Sequence, residues 1–455
     1  MKYFLDPFGC AKNQVDGENM MARLNDSGWE CSSAEEADII IVNSCGFIES
    51  AKQESINAVL GWRRLYPEKK ILLAGCLSQR YAKELPGILT EADGFTGAGD
   101  PAQIVQAAEK LAAYSPPSVS SSSAAPCSPG ERPLLSLPGS AYVKISEGCD
   151  NRCSYCAIPL IRGGLYSRSI PDIMDECRAL LKRGIKELCF VGQDIGSFGA
   201  EDGTAVSKLP DLLKAVSSLK GDFWARLLYI HPDHFPLEIL DIIEEDTRRA
   251  GQMRILPYFD IPFQHASSKI LSAMNRRGNV QTYLALLETI RSRLPAAVIR
   301  STFLIGFPGE TEEDFSALLD FQEKAALDWL GCFTYSREEG TKAYDMKKRV
   351  PLKTAVMRKL MIEEKQMHIT EKNMDRFAAK TLDVLVEERL ESAGYGTEDG
   401  GTEDFWLGRL YCQAPDIDGA AVITGEKKEN IPRTGTFVKC KVIARRGIDL
   451  EVKPV

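Results

Sequence analysis

No apolar run in this 455-residue chain approaches the roughly 18 consecutive residues that a membrane-spanning helix needs. The first stretch, MKYFLDPFGC, carries one lysine and is interrupted by Asp6 and Pro7, so a secretory signal is not expected there. A basic surplus is also missing. The formal net charge is −8, which argues against a chain built mainly to coat nucleic acid, where cationic excess supplies the affinity. Histidine is scarce, at four in the whole chain. The pair in HPDH, His231 and His234, is read as cleft lining rather than as metal ligands.

Apolar residues at 44% and charged residues at 26% describe a globular, cytoplasmic protein of about three ordinary domains. Thirteen cysteines in such a chain are not expected to form a disulfide framework, because that compartment keeps thiols reduced. Packing, catalysis and metal ligation remain.

The segment 115–130, SPPSVSSSSAAPCSPG, has no helical or strand period and reads as a linker. The expected organisation is an amino-terminal module 1–114, a Ser/Pro-rich linker 115–134, a core 135–374 and a carboxyl-terminal module 375–455. In the first module, three apolar strand candidates each end in a cysteine: YFLDPFGC at Cys10, DIIIVNSC at Cys45 and KILLAGC at Cys76. Helical intervals separate them, so the strands should form a parallel α/β sheet. Ligands of such sheets sit beyond the carboxyl ends of the strands. Cysteines 35 and 31 positions apart are thereby expected to converge.

The core alternates again. Six strand candidates (AYVKIS, ELCFVGQD, WARLLYIHP, PYFDIPFQ, VIRSTFLIGFPG and WLGCFTYS) with helical intervals predict a partial (βα)6 barrel with its site on the loops after the strands. The loop after the first strand, SEGCDNRCSYCAIP, holds Cys149, Cys153 and Cys156. Soft thiolates select zinc or iron–sulfur clusters. Structural zinc wants four ligands, and the next cysteine, Cys177, falls in a predicted helix. A four-iron cluster on three cysteines, with one iron left open, suits the spacing better. The last module reads as short β runs separated by Gly, Asp and Pro, a small β-barrel.

The cysteine loop resembles the signature of the radical S-adenosylmethionine (SAM) enzymes. With the three amino-terminal cysteines and a final module similar to a TRAM domain, the chain resembles the methylthiotransferases, and within them the branch that modifies a ribosomal protein. The strings that carry this are FGCAKNQVDGE, VNSCGFIESAKQES, SEGCDNRCSYCAIPLIRG, YFDIPFQHAS, FLIGFPGETEEDF and APDIDG. Ala11 and Gly164 depart from the pattern, standing where proline and a basic residue are common.

The resemblance implies two [4Fe–4S] clusters, one on Cys149, Cys153 and Cys156 as the catalytic radical centre, one on Cys10, Cys45 and Cys76 as the site of the transferred sulfur. It implies two uses of SAM, as methyl donor and as radical source. The substrate would be an aspartate β-carbon in small-subunit ribosomal protein twelve. An electron-donor protein and a sulfur source would be partners; nothing demands more than a monomer. It places Gly192, Gln193 and Asp194 near the amino group of SAM, and Gly306, Phe307 and Pro308 near its adenine. Both strings also have plainer readings, as a strand-end turn and as a Pro-Gly turn before a helix capped by Thr311 with Asp314.

Radical chemistry fits the scarcity of bases, because an unactivated C–H bond is too weak an acid for a side chain tuned near neutral pH. Methylthiolation of a transfer RNA adenosine, on the same fold, is the alternative; a non-catalytic RNA-binding protein is a third. From Arg376 onward, 12 Lys and Arg face 14 Asp and Glu, a balance better suited to a basic ribosomal protein than to phosphates. The remaining cysteines, Cys31, Cys127, Cys177, Cys189, Cys332, Cys412 and Cys440, are read as structural, and the charged run 427–433 as a solvated loop.

Overall fold

The computed structural model describes residues 1–99, 103–112, 131–201, 206–390, 405–424 and 433–455. The Ser/Pro segment through Gly130, Cys127 with it, and the charged run up to residue 432 lie outside them.

Three sheets organise the chain. The first is five-stranded and wholly parallel, in the order Glu30–Cys31, Lys2–Pro7, Ile39–Ser44, Lys70–Gly75, Gly94–Phe95. Ile39, Ile40, Ile41 and Val42 are all fully buried, because helices cover both faces: Ala11–Asp26 and Gln103–Leu111 on one, Glu49–Leu65 on the other. That double burial explains the unbroken apolar run in DIIIVNS.

The second sheet has six parallel strands in sequential order: Ser140–Lys144, Glu187–Val191, Trp224–Leu227, Ile255–Asp260, Val298–Ile305 and Trp329–Thr334. Side chains alternate across it with period two. Val143, Phe190, Ala225, Phe259 and Ile299 face the outer helices; Tyr142, Cys189, Trp224, Tyr258, Val298 and Trp329 face inward. The sheet is an open half-barrel, and its inner face needs a cover.

The carboxyl-terminal domain supplies much of it. Five strands, Thr381–Leu390, Phe405–Arg409, Ala421–Thr424, Asp449–Pro454 and Phe437–Arg446, close into a barrel in that order. The loop after Arg409 sends Leu410, Tyr411, Cys412 and Ala414 into the same apolar cluster as the inward-facing strand residues. The string APDIDG now has a role: Asp418 accepts from the Tyr258 hydroxyl at 2.6 Å and from the Ala414 amide at 2.9 Å, and Asp416 from the Tyr142 hydroxyl at 3.2 Å. Cys177, Cys189, Cys332, Cys412 and Cys440 are buried packing residues, while Cys31 is exposed.

Buried charge fixes how the parts meet. Glu187 accepts from Arg226 Nε at 2.7 Å and from Arg409 of the small barrel, which also reaches Glu387 at 2.7 Å. Arg132, within the stretch expected to be linker, is buried instead: it donates to Glu18 at 2.8 Å and to Glu176 at 2.5 Å, joining the first domain to the half-barrel.

Burial opposes ionisation of Glu187, but Arg409 and Arg226 hold its carboxyl at about 2, below the ordinary 4.5. The folded state therefore binds this proton more weakly than the unfolded state, so the pair stabilises above the unfolded value and that stability is lost as pH falls toward the folded one. Glu187→Gln leaves the buried Arg226 without a carboxylate and Arg409 with Glu387 alone, and is expected to cost about 3–5 kcal/mol at neutral pH. Urea unfolding of both proteins should show the gap narrowing between pH 4.5 and about 2; a gap independent of pH would contradict it.

Candidate active site

Cys10, Cys45 and Cys76 follow the carboxyl ends of three strands that are direct neighbours, Lys2–Pro7, Ile39–Ser44 and Lys70–Gly75. Adjacent strands lie about 4.8 Å apart, so positions far apart in sequence become a cluster. Gly46 lets the ends close: a Cβ there would sit 2.7 Å from the Cys76 carbonyl oxygen. Asn13 ties the ends together, its amide donating to Phe8 O at 2.6 Å and to the Asn43 and Ser44 carbonyls at 3.3 Å.

Cys10 is open to solvent, yet desolvation by the surrounding chain is the largest single influence on its thiol. Burial is outweighed by Lys12, the Asn13 and Lys12 amides and Arg162, and its pKa is lowered. Burial raises Cys45, and pushes Cys76 to about 12 although Arg162 opposes it. Lys12 Nζ lies 3.4 Å from the Tyr229 ring centre, and Tyr229 holds a left-handed backbone at φ 68°.

The second triad sits at the carboxyl edge of the half-barrel. The loop 148–165 is pinched by a two-stranded ribbon, Ser146–Glu147 with Tyr166–Ser167. Asn275 donates to the carbonyls of Asn151 and Arg152 at 3.1 Å, and the Ser154 hydroxyl donates to Ala273 O at 2.7 Å. Asp194 accepts from Asn151 at 2.9 Å, the Ser197 hydroxyl at 2.7 Å, the His231 amide at 3.0 Å and His234 Nδ1 at 2.8 Å. Burial would raise its pKa, but these partners hold it well below the usual carboxylate range, while burial and Arg276 keep His231 neutral.

Burial pushes Cys149 and Cys156 up to about 12. That direction is wrong for a nucleophile but no obstacle to a ligand, since a coordinating metal deprotonates the thiol outright. Among the described residues no three His, Cys, Asp or Glu side chains are grouped as ligands of a single metal ion. Beside the loop opens a cleft of about 1040 Å³ lined by Cys149, Asn151, Asp194, His231, His234 and Arg276 among others. Gln193 Nε2, Ser146 Oγ and His231 Nε2 are buried without a hydrogen-bond partner, donors and acceptors left for a ligand.

The sites of the named residues differ. Asp194 lines the cleft. Gly192 lies against Ser146, whose hydroxyl fills the place of a side chain. Phe307 is fully buried against Ile270, Met274 and Ala343, a cluster that Tyr155 of the cysteine loop packs onto. Glu310 holds that turn, accepting from the Gly306 amide at 2.7 Å and from Arg358 at 2.6 Å, and Thr311 and Asp314 form the reciprocal cap. Sequence reasoning gave no role to Asn275, Arg276 or Arg162. Arg162 ends the short helix Ile158–Arg162, and its Nη2 donates to Cys76 Sγ at 3.0 Å.

An open half-barrel with a three-cysteine loop at its carboxyl edge defines a radical SAM enzyme. Residues 143–321 match the Radical SAM superfamily, residues 2–97 the "Uncharacterized protein family UPF0004" and residues 380–455 the TRAM domain. The radical SAM methyltransferase TsrM from Kitasatospora setae shares the fold at a TM-score of 0.55 and 16% identity, over 75% of this chain and 73% of that one. Among curated relatives, "Ribosomal protein uS12 methylthiotransferase RimO" of Treponema denticola is 44% identical over 99% of this chain and 100% of its own. The proteins of that name from Syntrophomonas wolfei and Thermotoga maritima are 39% and 38% identical, over 97% and 94% of this chain and 97% and 95% of theirs. The chain belongs to the RimO family of methylthiotransferases.

Gly148 tests the loop geometry. Its φ is 67°, and a Cβ would collide with the Gly164 carbonyl and lie 2.8 Å from Gly163 O. Gly148→Ala is expected to lower iron uptake on anaerobic reconstitution as far as Cys149→Ala does. Uptake equal to that of the unaltered chain would show that the loop tolerates the extra carbon.

Proposed function

We propose that this chain adds a methylthio group to the β-carbon of an aspartate in ribosomal protein uS12, using one SAM as methyl donor and a second as radical source. The observation that carries the reading is two cysteine triads, each following the carboxyl ends of parallel strands, joined across two domains by Arg162 of the second cysteine loop, which donates to Cys76 of the first triad at 3.0 Å. The names of full-length relatives supply the substrate. The acidic balance of the last module suits a basic protein.

Cys149, Cys153 and Cys156 would hold one [4Fe–4S] cluster, and Cys10, Cys45 and Cys76 another. When bound, these groups supply one-electron chemistry on SAM and a place for the sulfur that is transferred. The chain does the positioning. Asp194 and Asn275 clamp the loop, and Gln193 and Ser146 offer unpaired polar atoms to SAM. The half-barrel, covered on its inner face, keeps bulk water from the reaction. Lys12 is buried and held by the Tyr229 ring; among the described residues no carboxylate ion-pairs with it, so its ammonium is free to orient the substrate carboxylate. Hydrogen abstraction rests on such near-contact alignment.

Two measurements test this. Converting Cys149, Cys153 and Cys156 together to Ala should abolish deoxyadenosine formation while leaving the iron of the amino-terminal triad; an intact chain that binds only one cluster's worth of iron refutes the two-cluster reading. Mass spectrometry of uS12 from cells with and without the gene should differ by one methylthio group. An unchanged uS12 beside transfer RNA that has lost a methylthio group would hand the function to the transfer RNA reading.

A further inference from the structure

Arg162 lies at the meeting point of the two triads. It stands six positions after Cys156, and its partner Asp16 stands six positions after Cys10, so each is carried by the helix that follows a cysteine. Arg162 Nη2 reaches Asp16 Oδ2 at 2.8 Å and Nη1 reaches Glu147 Oε1 at 2.7 Å. Lys144 closes the square, pairing with Asp16 and with Glu147. Two cations and two anions sit together with Arg162 and Asp16 almost wholly buried, at 2% and 3% side-chain exposure. The fork still has reach left over. The same Nη2 that binds Asp16 also donates to Cys76 Sγ at 3.0 Å and lies 3.4 Å from Asn13 Oδ1.

A guanidinium cannot be deprotonated in a protein, so a permanent positive charge with an N–H aimed at sulfur stands beside one thiol of the amino-terminal triad. Hydrogen bonds to the sulfurs, and net charge around them, set the potential of an iron–sulfur centre. We propose that Arg162 is a positioning residue through which the half-barrel's cysteine loop tunes the amino-terminal metal centre, raising its reduction potential by the N–H to Cys76 and fixing its orientation by the pair with Asp16. This rests on the reading that Cys10, Cys45 and Cys76 hold a cluster.

The device has two opposed parts. Arg162 favours the reduced, more negative centre. Asp16, which neutralises part of that charge, disfavours it. A residue that merely held two helices together would not produce shifts of opposite sign.

The test uses full-length protein in which Cys149, Cys153 and Cys156 are Ala, so that only the amino-terminal triad can bind iron, and follows its reduction by electron paramagnetic resonance during a potentiometric titration. Arg162→Gln should lower the midpoint potential, Arg162→Lys should lower it less by keeping the charge without the fork, and Asp16→Asn should raise it. Potentials that stay equal across the variants, or move in the same direction for Arg162→Gln and Asp16→Asn, overturn the inference. Should Arg162→Gln fail to take up iron, the Lys and Asn variants decide by the same signs. A parent protein that binds no iron removes the amino-terminal cluster itself, and the inference falls with it; iron bound with unmoved potentials refutes the inference and leaves the cluster reading standing.

Discussion

The buried ion pair between Arg162 and Asp16, 2.8 Å apart, is the contact on which the geometry of the two cysteine sites depends. Its direct attraction is about 6 kcal/mol at an effective dielectric near 20, and withdrawing each ion from water costs several kcal/mol in return. The two nearly cancel. What survives is proximity, since Asp16 Oδ2 has no hydrogen-bond partner and the directed N–H of Nη2 goes to Cys76 Sγ. One end of the pair follows the first cysteine of the sheet triad, the other follows the last cysteine of the loop triad, so each triad's position is tied to the other's. The net stability is modest, and either partner left alone keeps one ion pair, Asp16 with Lys144 and Arg162 with Glu147.

The same logic recurs at the other joints. Arg132 with Glu18 and Glu176, and Glu187 with Arg226 and Arg409, are pairs in which nearly every member is buried. Arg132 with Glu18 and Glu187 with Arg409 join different domains, while Glu187 with Arg226 links neighbouring strands of the half-barrel. Arg80 and Lys52 of the first domain likewise meet Glu338 beyond the last strand of the half-barrel, at 2.6 and 3.1 Å. Apolar contact covers the inner face of the half-barrel, but apolar contact tolerates sliding. Paired charges in the interior do not, and a reaction that depends on near-contact alignment between domains needs that rigidity.

How much of this was legible follows from distance along the chain. The strands and most helices could be read locally, because period and apolar runs are properties of neighbours. The sheet triad was legible one step further, since a rule about parallel sheets turns Cys10, Cys45 and Cys76 into neighbours without any contact being visible. The pairing of Arg162 with Asp16 obeys no such rule; 146 positions separate them, and an arginine at the end of a short helix looks like a cap. Arg132 misled outright. It follows a run of serine and proline and carries a charge, both signs of a solvated segment, yet two glutamates from different domains draw it into the core. The string APDIDG was conspicuous and mute, because its aspartates act on tyrosines of the half-barrel that lie more than a hundred residues away.

The unequal surroundings of the sheet cysteines carry one further consequence. Cys76 is buried and accepts from Arg162 at 3.0 Å, whereas Cys10 is exposed. Under the two-cluster reading, a group held by all three thiols would be gripped on its buried side through Cys76 and would be open to solvent beside Cys10. Lys12, two residues beyond Cys10, is itself buried, and its ammonium rests on the Tyr229 ring with no carboxylate ion-paired to it among the described residues. An exposed thiol, a thiol bonded to an arginine of the second cysteine loop, and a buried cation resting on a tyrosine thus come together from two separate domains.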